Sequence, residues 1–169
     1  GSIINTVKNS VYTTKETDKL LEAYKQGSRN YVRNGNFRGA VANQAVIPNW
    51  DFWGDGGHVY HLNGSNSYVG DGAVWWGTGS TNTAAILSSY IYSDRVPHNT
   101  NVTLSFNFHK ENNVKSGRAE VYFYDSSYTH IGGFGWNCVE GKNEINFTTL
   151  SSYHIFRVVF IHGGSINGG

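Results

Sequence analysis

The chain has 169 residues, which fits one domain with a short appendage and leaves little room for two independent cores. Its 13 Lys and Arg nearly balance its 12 Asp and Glu and are spread along the sequence, so no basic stripe could neutralise a run of phosphates and nucleic-acid binding is not expected. No apolar run approaches the roughly 20 residues that span a bilayer, which argues against membrane insertion, while 21 Gly and 15% aromatic residues predict many strands and turns.

The N-terminal segment, residues 1–28, differs from the rest because it contains a run of helix formers. Residues 13–26 read TTKETDKLLEAYKQ, Thr13 and Glu16 have the spacing of a capping box, and Gly27 suits the position after a helix. We predict a helix of about three turns here. It is either a linker helix packed on its own domain or the end of an oligomeric stalk; the apolar positions follow a heptad only loosely, which favours the linker.

After residue 28 the sequence changes to short alternating runs separated by Gly, Asn, Asp and Ser, a pattern typical of a β-sandwich or barrel. Strands are predicted at residues 58–62, 68–74, 84–92, 101–109, 118–125, 142–148 and 153–162. In the fifth of these, Ala119, Val121 and Phe123 alternate with polar residues that would form the opposite face. The last is apolar on both faces except at Arg157, as expected for a strand covered on both sides.

Residues 41–80 read as loops and hold four of the five tryptophans. A stretch this long and this rich in Gly and Asn is more than a passive connection needs, so we expect it to be functional. Trp75 and Trp76 lie between glycines, and because neighbouring residues of a strand point to opposite faces, one indole can pack inward while the other is exposed.

Three sequence segments resemble jelly-roll carbohydrate-binding modules. Residues 29–37, RNYVRNGNF, followed by Pro48-Asn49-Trp50, are similar to the N-L-x-x-N-G-x-F opening of these modules and the Trp that follows it. Residues 89–108, with their T-L-S-F pattern, and 156–161, FRVVFI, extend the resemblance over residues 29–162. It implies an all-β jelly-roll β-sandwich at residues 29–169, preceded by the short N-terminal α-helix, with Trp50 in the core.

A helical lead followed by S-R-N-x-x-x-N-G-N-F also resembles tail and baseplate proteins of phages that infect Gram-positive bacteria, whose modules bind cell-wall saccharides. Members of the jelly-roll group that hold a structural calcium commonly place an acidic residue near the N-G-x-F segment. Here Asn36 and Arg38 occupy those positions. We therefore expect no cofactor, and the sequence disfavours a structural calcium.

Sugars present apolar C–H faces and a fringe of hydroxyls, so a site for them needs a flat ring and planar hydrogen-bonding groups. Two surfaces meet this need, and the sequence does not decide between them. The aromatic loops offer Trp53, Asp55, Asp71, Trp75 and Trp76, with Trp136 as a cap. The polar face of two predicted strands offers Asn107, His109, Arg118, Glu120, Tyr122 and Tyr124.

An enzyme is not expected. Glycosidases need two carboxylates at a defined separation, whereas the acidic residues are scattered, and Asp51 and Asp55 are interpreted as loop residues. His58 and His61 would point to opposite faces of a strand, which argues against a metal pair. Cys138 lacks a nearby basic partner in the sequence and is interpreted as an inert buried thiol.

These observations lead us to expect a non-catalytic module that binds host cell-wall polysaccharide as part of a phage tail or baseplate, on the virion and acting at the host cell surface. Its expected partners are a cell-surface saccharide and other subunits of a larger assembly. Two alternatives stay open: a structural or assembly module of the tail, and an accessory binding domain of a cell-wall-degrading enzyme.

Overall fold

The computed structural model describes residues 14–18, 30–41, 44, 46–54, 58–62, 73–77, 84–109 and 116–163, and within 58–62 and 73–77 it describes the backbone alone. Residues 14–18 are helical, inside the predicted helix, whose remainder lies outside the described residues. The chain divides into two compact units, Gly1–Tyr31 and Val32–Gly169. No helix in the described ranges is long and apolar enough to cross a membrane.

The second unit contains every strand that the structure describes. In chain order they are β1 (Trp50–Gly54), β2 (His58–Leu62), β3 (Ala73–Gly77), β4 (Ala84–Ser88), β5 (Ile91–Tyr92), β6 (Asn101–Phe108), β7 (Ser116–Tyr124), β8 (His130–Asn137), β9 (Gly141–Thr148) and β10 (Ile155–Gly163). All their pairings are antiparallel. The prediction of an all-β chain is confirmed, and the jelly-roll arrangement stays a prediction.

The strands form one six-stranded sheet and two strand pairs. The large sheet has the order β1-β4-β10-β7-β8, with β5 also pairing β10, while β2 pairs β3 and β6 pairs β9. Five predicted strands match observed strands to within two or three residues. The predicted strand at 84–92 is divided into β4 and β5, and β1 and β8 were not predicted. The predicted strand at 68–74 overlaps β3 at residues 73–74, and its remainder lies outside the described residues.

The pair β6–β9 packs its apolar side against one face of the large sheet, called here the inner face. Phe106 of β6 meets Phe160 of β10 with ring centroids 4.9 Å apart, and Phe147 of β9 lies 5.9 Å from Phe134 and 6.3 Å from Phe156. The core lies between these strands, because Val121 and Phe123 of β7 are fully buried there. Burying such side chains supplies the main favourable term for folding.

Strand β10 is buried on both of its faces, as predicted from its apolar sequence. Every residue from Ile155 to Val159 is buried, including Arg157. The guanidinium of Arg157 donates from Nε to the backbone carbonyl of Ser88, 2.7 Å away, and forms an ion pair with Asp51 of β1. These partners satisfy a charged group that would otherwise be costly to bury.

The N-G-N-F segment forms a tight turn anchored to Trp50. The amide of Asn34 donates to the carbonyls of Arg38 and Pro48 and accepts from the Arg38 N–H, all within 2.9 Å. The indole of Trp50 in turn donates to the Asn34 carbonyl, 2.9 Å away, and its ring centroid lies 5.0 Å from that of Phe37. Trp50 is buried, which confirms its predicted place in the core.

Candidate functional site

The face of the large sheet opposite to the inner face, called here the outer face, brings together residues from both predicted surfaces. Directly opposed residues of antiparallel strands point to the same side. The register places Trp53 opposite Ala85, Ala85 opposite Ile161, and Ile161 opposite Arg118. Alternation then puts Glu120, Tyr122 and Tyr124 on this face as well. Trp53 and the polar side of β7 therefore share one face, although the sequence assigned them to separate surfaces.

A hydrogen-bonded network joins three of the predicted residues on β7. Arg118 Nε donates to Glu120 Oε1 over 3.0 Å, and the Tyr122 hydroxyl donates to Glu120 Oε2 over 2.5 Å. Arg118 also reaches Asn137 of β8 through Nη1, 2.9 Å from Oδ1. The Glu120 side chain is only 17% exposed. The carboxylate is thus held in one orientation, with a guanidinium and a phenol at its two oxygens.

Two glycines of β8 make room for this network. Gly135 lies opposite Glu120 and Gly133 opposite Tyr122. A Cβ at Gly135 would stand 2.4 Å from Arg118 Nη2 and 3.2 Å from Glu120 Oε1. A Cβ at Gly133 would stand 2.4 Å from the backbone oxygen of Val121. The glycines therefore form a floor that allows the side chains of β7 to lie over the neighbouring strand.

Aromatic rings continue this surface toward one end of β7. The imidazole of His130 contacts Tyr122 and Tyr124 edge-on, with centroids 5.2 and 5.7 Å away. Burial raises the pKa of Tyr122 well above its ordinary value, and the hydrogen bond to Glu120 adds to this. Burial also raises the pKa of Tyr124. Both phenols stay protonated at neutral pH and keep their hydrogen-bonding capacity.

Strand β1, at the other edge of the large sheet, carries an exposed indole on the outer face. Trp53 is 60% exposed and the Asp51 side chain is 72% exposed. Three strand spacings separate the backbone of Trp53 from that of Arg118, or about 14 Å. Ala85 of β4 lies between them and is buried, as is Val159 of β10 in the next row. The outer face is therefore accessible along β7, where Arg118 is 42% exposed and Tyr122 and Tyr124 are half-buried, and at Trp53 of β1, and it is closed over β4 and β10.

Other predicted site residues are not part of this face. Trp136 lies opposite Ala119 on the inner side of β8, where its ring packs 5.7 Å from that of Phe147. Asn107 lies on β6, in a different sheet. His109, just after β6, is hydrogen bonded through Nδ1 to Glu140, 2.6 Å away. The structure thus separates Asn107 and His109 from Arg118, Glu120 and Tyr122, because β6 pairs with β9 and not with β7.

The side chains of the remaining predicted residues lie outside the described part of the structure. Trp75 and Trp76 lie in β3, opposite Tyr60 and Val59 of β2, and only their backbone is described. Asp55 and Asp71 lie outside the described residues. Their roles stay predictions.

Sequence reasoning missed a cluster of aromatic residues at the end of the outer face. Tyr90, Tyr92, Tyr128 and His154 contact one another there. They come from three separate parts of the chain, so neither spacing nor alternation could have grouped them. The one available signal was the repeat of tyrosines at 90 and 92, two residues apart.

No group of three or more His, Cys, Asp or Glu side chains that could hold a metal occurs among the described residues. The N-G-N-F turn is a poor match for a hard cation, because it contains no carboxylate and the side-chain and backbone oxygens of Asn34 accept hydrogen bonds from the Arg38 N–H and the Trp50 indole. Burial raises the pKa of the Cys138 thiol to about 11. The thiolate is scarce at neutral pH, in line with an inert cysteine.

Comparison with known protein families and with curated proteins finds no match. Among solved structures, the chain is similar to the enzymatically active domain of tailspike protein 4 of bacteriophage CBA120, with a TM-score of 0.57 and 13% sequence identity. The alignment covers 80% of this chain and 19% of that one. At this identity the likeness concerns the fold alone.

Proposed function

We propose that this chain is a non-catalytic module that binds a polysaccharide of the bacterial host's cell wall, as part of a phage tail or baseplate device. The observation that carries the proposal is the network of Arg118, Glu120 and Tyr122 above the glycine floor. It presents planar donors and a fixed carboxylate beside aromatic rings, the combination that sugar hydroxyls and C–H faces require.

The spacing of the carboxylates supports binding rather than hydrolysis. Asp51 and Glu120 lie in one row across the outer face, separated by Leu87 of β4 and Val159 of β10. Three strand spacings put their backbones about 14 Å apart. Glycosidases use two carboxyl groups about 5 to 9.5 Å apart that both act on the scissile bond. Here each carboxylate is engaged by neighbouring side chains, Asp51 by Arg157 and Glu120 by Arg118 and Tyr122.

The fold likeness supports the setting in a phage tail. The similar structure is an enzymatically active tailspike domain, and the alignment covers 19% of it. A shared architecture can carry different sites, so that enzyme's activity does not transfer with the fold. We propose a place on the virion because the chain combines this architecture with a face whose side chains suit a saccharide.

The test measures binding of the chain, fluorescently labelled at its N-terminus, to a panel of Gram-positive cells. Each strain is compared untreated and after chemical removal of wall polysaccharide. Glu120→Gln removes the charge that organises Arg118 and Tyr122 while keeping the size of the side chain. Glu144→Gln is the matched control, because Glu144 lies on β9 in the other sheet and is exposed beside Lys142.

We expect staining of at least one strain, loss of that staining after stripping, and an apparent affinity at least tenfold weaker for Glu120→Gln. Glu144→Gln should bind as the unmodified chain does. Equal staining by Glu120→Gln would show that the network of Arg118, Glu120 and Tyr122 is not the binding site, and absence of staining across the panel would contradict the function.

An assembly module of the tail is the second candidate, favoured by exposed apolar residues on and beside β8. Ile131, Phe134 and Val139 are 45%, 38% and 59% exposed. Exposed apolar groups of this kind can mark contacts with other proteins. This role predicts no cell staining, together with self-association that Val139→Asp weakens.

A further inference from the structure

The exposed tyrosines of the described chain gather at one place. Tyr90, Tyr92 and Tyr128 are 44%, 39% and 49% exposed, whereas every other tyrosine whose burial is described is half-buried or buried. The ring centroids of Tyr90 and Tyr128 are 5.4 Å apart with a 34° tilt, and Tyr92 stands perpendicular to Tyr90 at 6.4 Å. His154 packs against Tyr92 and Tyr128. These four rings form one packed cluster with three partly exposed phenol rings, called here the tyrosine platform.

The backbone at Tyr128 is held in a conformation that bulky residues rarely adopt. Its φ is 60°, in the left-handed region. The turn is fixed by Asp125, whose carboxylate accepts from the N–H groups of Ser127 and Thr129 and whose carbonyl accepts from the Tyr128 N–H. Strain of this kind persists where the surroundings enforce it, and it concentrates at binding sites. Here its effect is to present the ring of Tyr128 beside Tyr90.

Polar groups at the edge of the tyrosine platform favour an uncharged ligand. The guanidinium of Arg157 lies 5.0 Å from the centroid of the Tyr90 ring. It already has the Ser88 carbonyl and the Asp51 carboxylate as partners. Since this positive charge is compensated, the platform offers little to a phosphate or a carboxylate. Ring faces with neutral hydroxyls and an imidazole suit the C–H faces and hydroxyls of a neutral hexose.

The platform and the Glu120 network lie on the same face but too far apart for one sugar. Ile155 of β10 pairs with Tyr92 of β5 on one side and with Tyr124 of β7 on the other. Tyr92 is therefore two strand spacings away from β7. Glu120 is opposite Val159, four residues farther along β10. The backbones of Tyr92 and Glu120 are therefore about 9.5 Å apart across the strands and about 13 Å along them. A ligand that contacts both must be a chain of several sugars.

We infer that Tyr90, Tyr92 and Tyr128 form a second, stacking subsite, so that the outer face binds an internal stretch of a neutral polysaccharide chain and not a single terminal sugar. This inference rests on the proposed function. The platform supplies stacking at one end, and Arg118, Glu120 and Tyr122 supply directional hydrogen bonds at the other. The two ends act on one ligand, so their contributions combine as in linked binding sites.

The test uses wall polysaccharide purified from a stained strain and hydrolysed into neutral fragments of graded length, with affinities measured by calorimetry on the full chain. Tyr128→Asn removes the ring and keeps a residue that tolerates the left-handed conformation. Tyr90→Ala removes the second ring. Val139→Ala, at an exposed apolar residue in the turn after β8, is the control, and circular dichroism with thermal unfolding verifies that each variant folds.

For the unmodified chain we expect affinity that rises with fragment length over several sugars. Tyr128→Asn and Tyr90→Ala should bind the long fragments at least tenfold more weakly and the shortest bound fragment as before, whereas Glu120→Gln should weaken binding at every length. Long-fragment affinities that match the unmodified chain in folded Tyr128→Asn and Tyr90→Ala, with Glu120→Gln still weakened, would overturn the subsite alone. Absence of binding by the unmodified chain at all lengths would overturn the proposed function together with it.

Discussion

At the scale of single residues, Asn34 organises the turn that precedes the sheet. Its side chain makes three hydrogen bonds to backbone groups at Arg38 and Pro48, and its own carbonyl accepts from Trp50. Its φ of 52° lies in the left-handed region, which Asn tolerates better than most residues. One side chain thus fixes a turn and positions the buried indole.

Replacement of Asn34 by Ala should therefore destabilise the fold. The variant loses three hydrogen bonds and keeps a left-handed backbone without the residue that suits it, so we expect the free energy of unfolding to fall by about 2 kcal/mol. Urea unfolding followed by tryptophan fluorescence measures this. Asn36→Ala, two residues away and exposed, should change the free energy by less than about 0.5 kcal/mol. Equal losses in the two variants would contradict the assigned role.

The burial of Trp50 could be predicted from its position after the N-G-N-F segment, and the exposure of Trp53 from its neighbours Asp51 and Asp55. The partner of Arg157 could not be predicted. Asp51 lies 106 residues earlier in the chain, and only the arrangement of β1, β4 and β10 brings the two side chains together. Contacts between residues so distant in sequence depend on sheet order, which local patterns do not encode.

At the scale of elements, β8 shows how glycines shape the outer face. Gly133 faces the backbone of Val121, whereas Gly135 faces the tips of Arg118 and Glu120. The backbone of Val121 can move only if its strand is displaced, whereas the end of a long side chain such as Arg118 can move by itself. The two glycines should therefore respond differently to the same substitution.

Gly133→Ala should destabilise the chain by about 1–3 kcal/mol, because its methyl group overlaps a strand that must shift. Gly135→Ala should lower the free energy of unfolding by less than about 1 kcal/mol, because the alanine also reduces the conformational entropy of the unfolded chain and this offsets part of the loss. It should nevertheless weaken polysaccharide binding, since Arg118 is displaced from Glu120. Urea unfolding and the cell-staining assay separate the two effects. A Gly135→Ala variant that binds normally would show that the exact placement of Arg118 is unimportant.

The sequence predicted β7 correctly and missed β8, for a physical reason. In β7, residues Ala119, Val121 and Phe123 alternate with polar side chains, which is the pattern of a half-buried strand. In β8, HIGGFGWN, glycines occupy the alternate positions, so the polar half of the pattern is absent and the segment reads as a turn. The residues that make room for the candidate site thereby concealed the strand that carries them.

At the scale of the whole molecule, burial holds several acidic protons in the folded state. It raises the pKa of Cys138 from its ordinary value of 9.0 to about 11, and it raises the pKa of Tyr122 and of Tyr153. Between the unfolded and folded pKa values the folded chain binds more protons than the unfolded chain. The contribution of these groups to the free energy of unfolding is therefore fully present below their unfolded pKa values and is lost as the pH rises toward their folded pKa values.

The free energy of unfolding should consequently fall as the pH rises above about 9, and Cys138 should account for part of the decline between pH 9 and about 11. Cys138→Ala removes that contribution, so its stability should decline less steeply in this interval. Urea titrations at pH steps from about 8 to 11 provide the comparison. Identical slopes for the two proteins would show that the thiol titrates alike in both states.

The sheet order has a consequence for how the protein is made. Strand β10 lies at the centre of the large sheet, between β4 and β5 on one side and β7 on the other, yet it is the last of the described strands in chain order. A nascent chain that has emerged from the ribosome only as far as residue 154 exposes both flanks of the sheet and none of its centre. Until β10 emerges, Ile86 and Val121 lack the strand that joins their halves, and such surfaces invite chaperones and misassociation. The large sheet is therefore completed only by the last of its strands to emerge, the nine residues of β10.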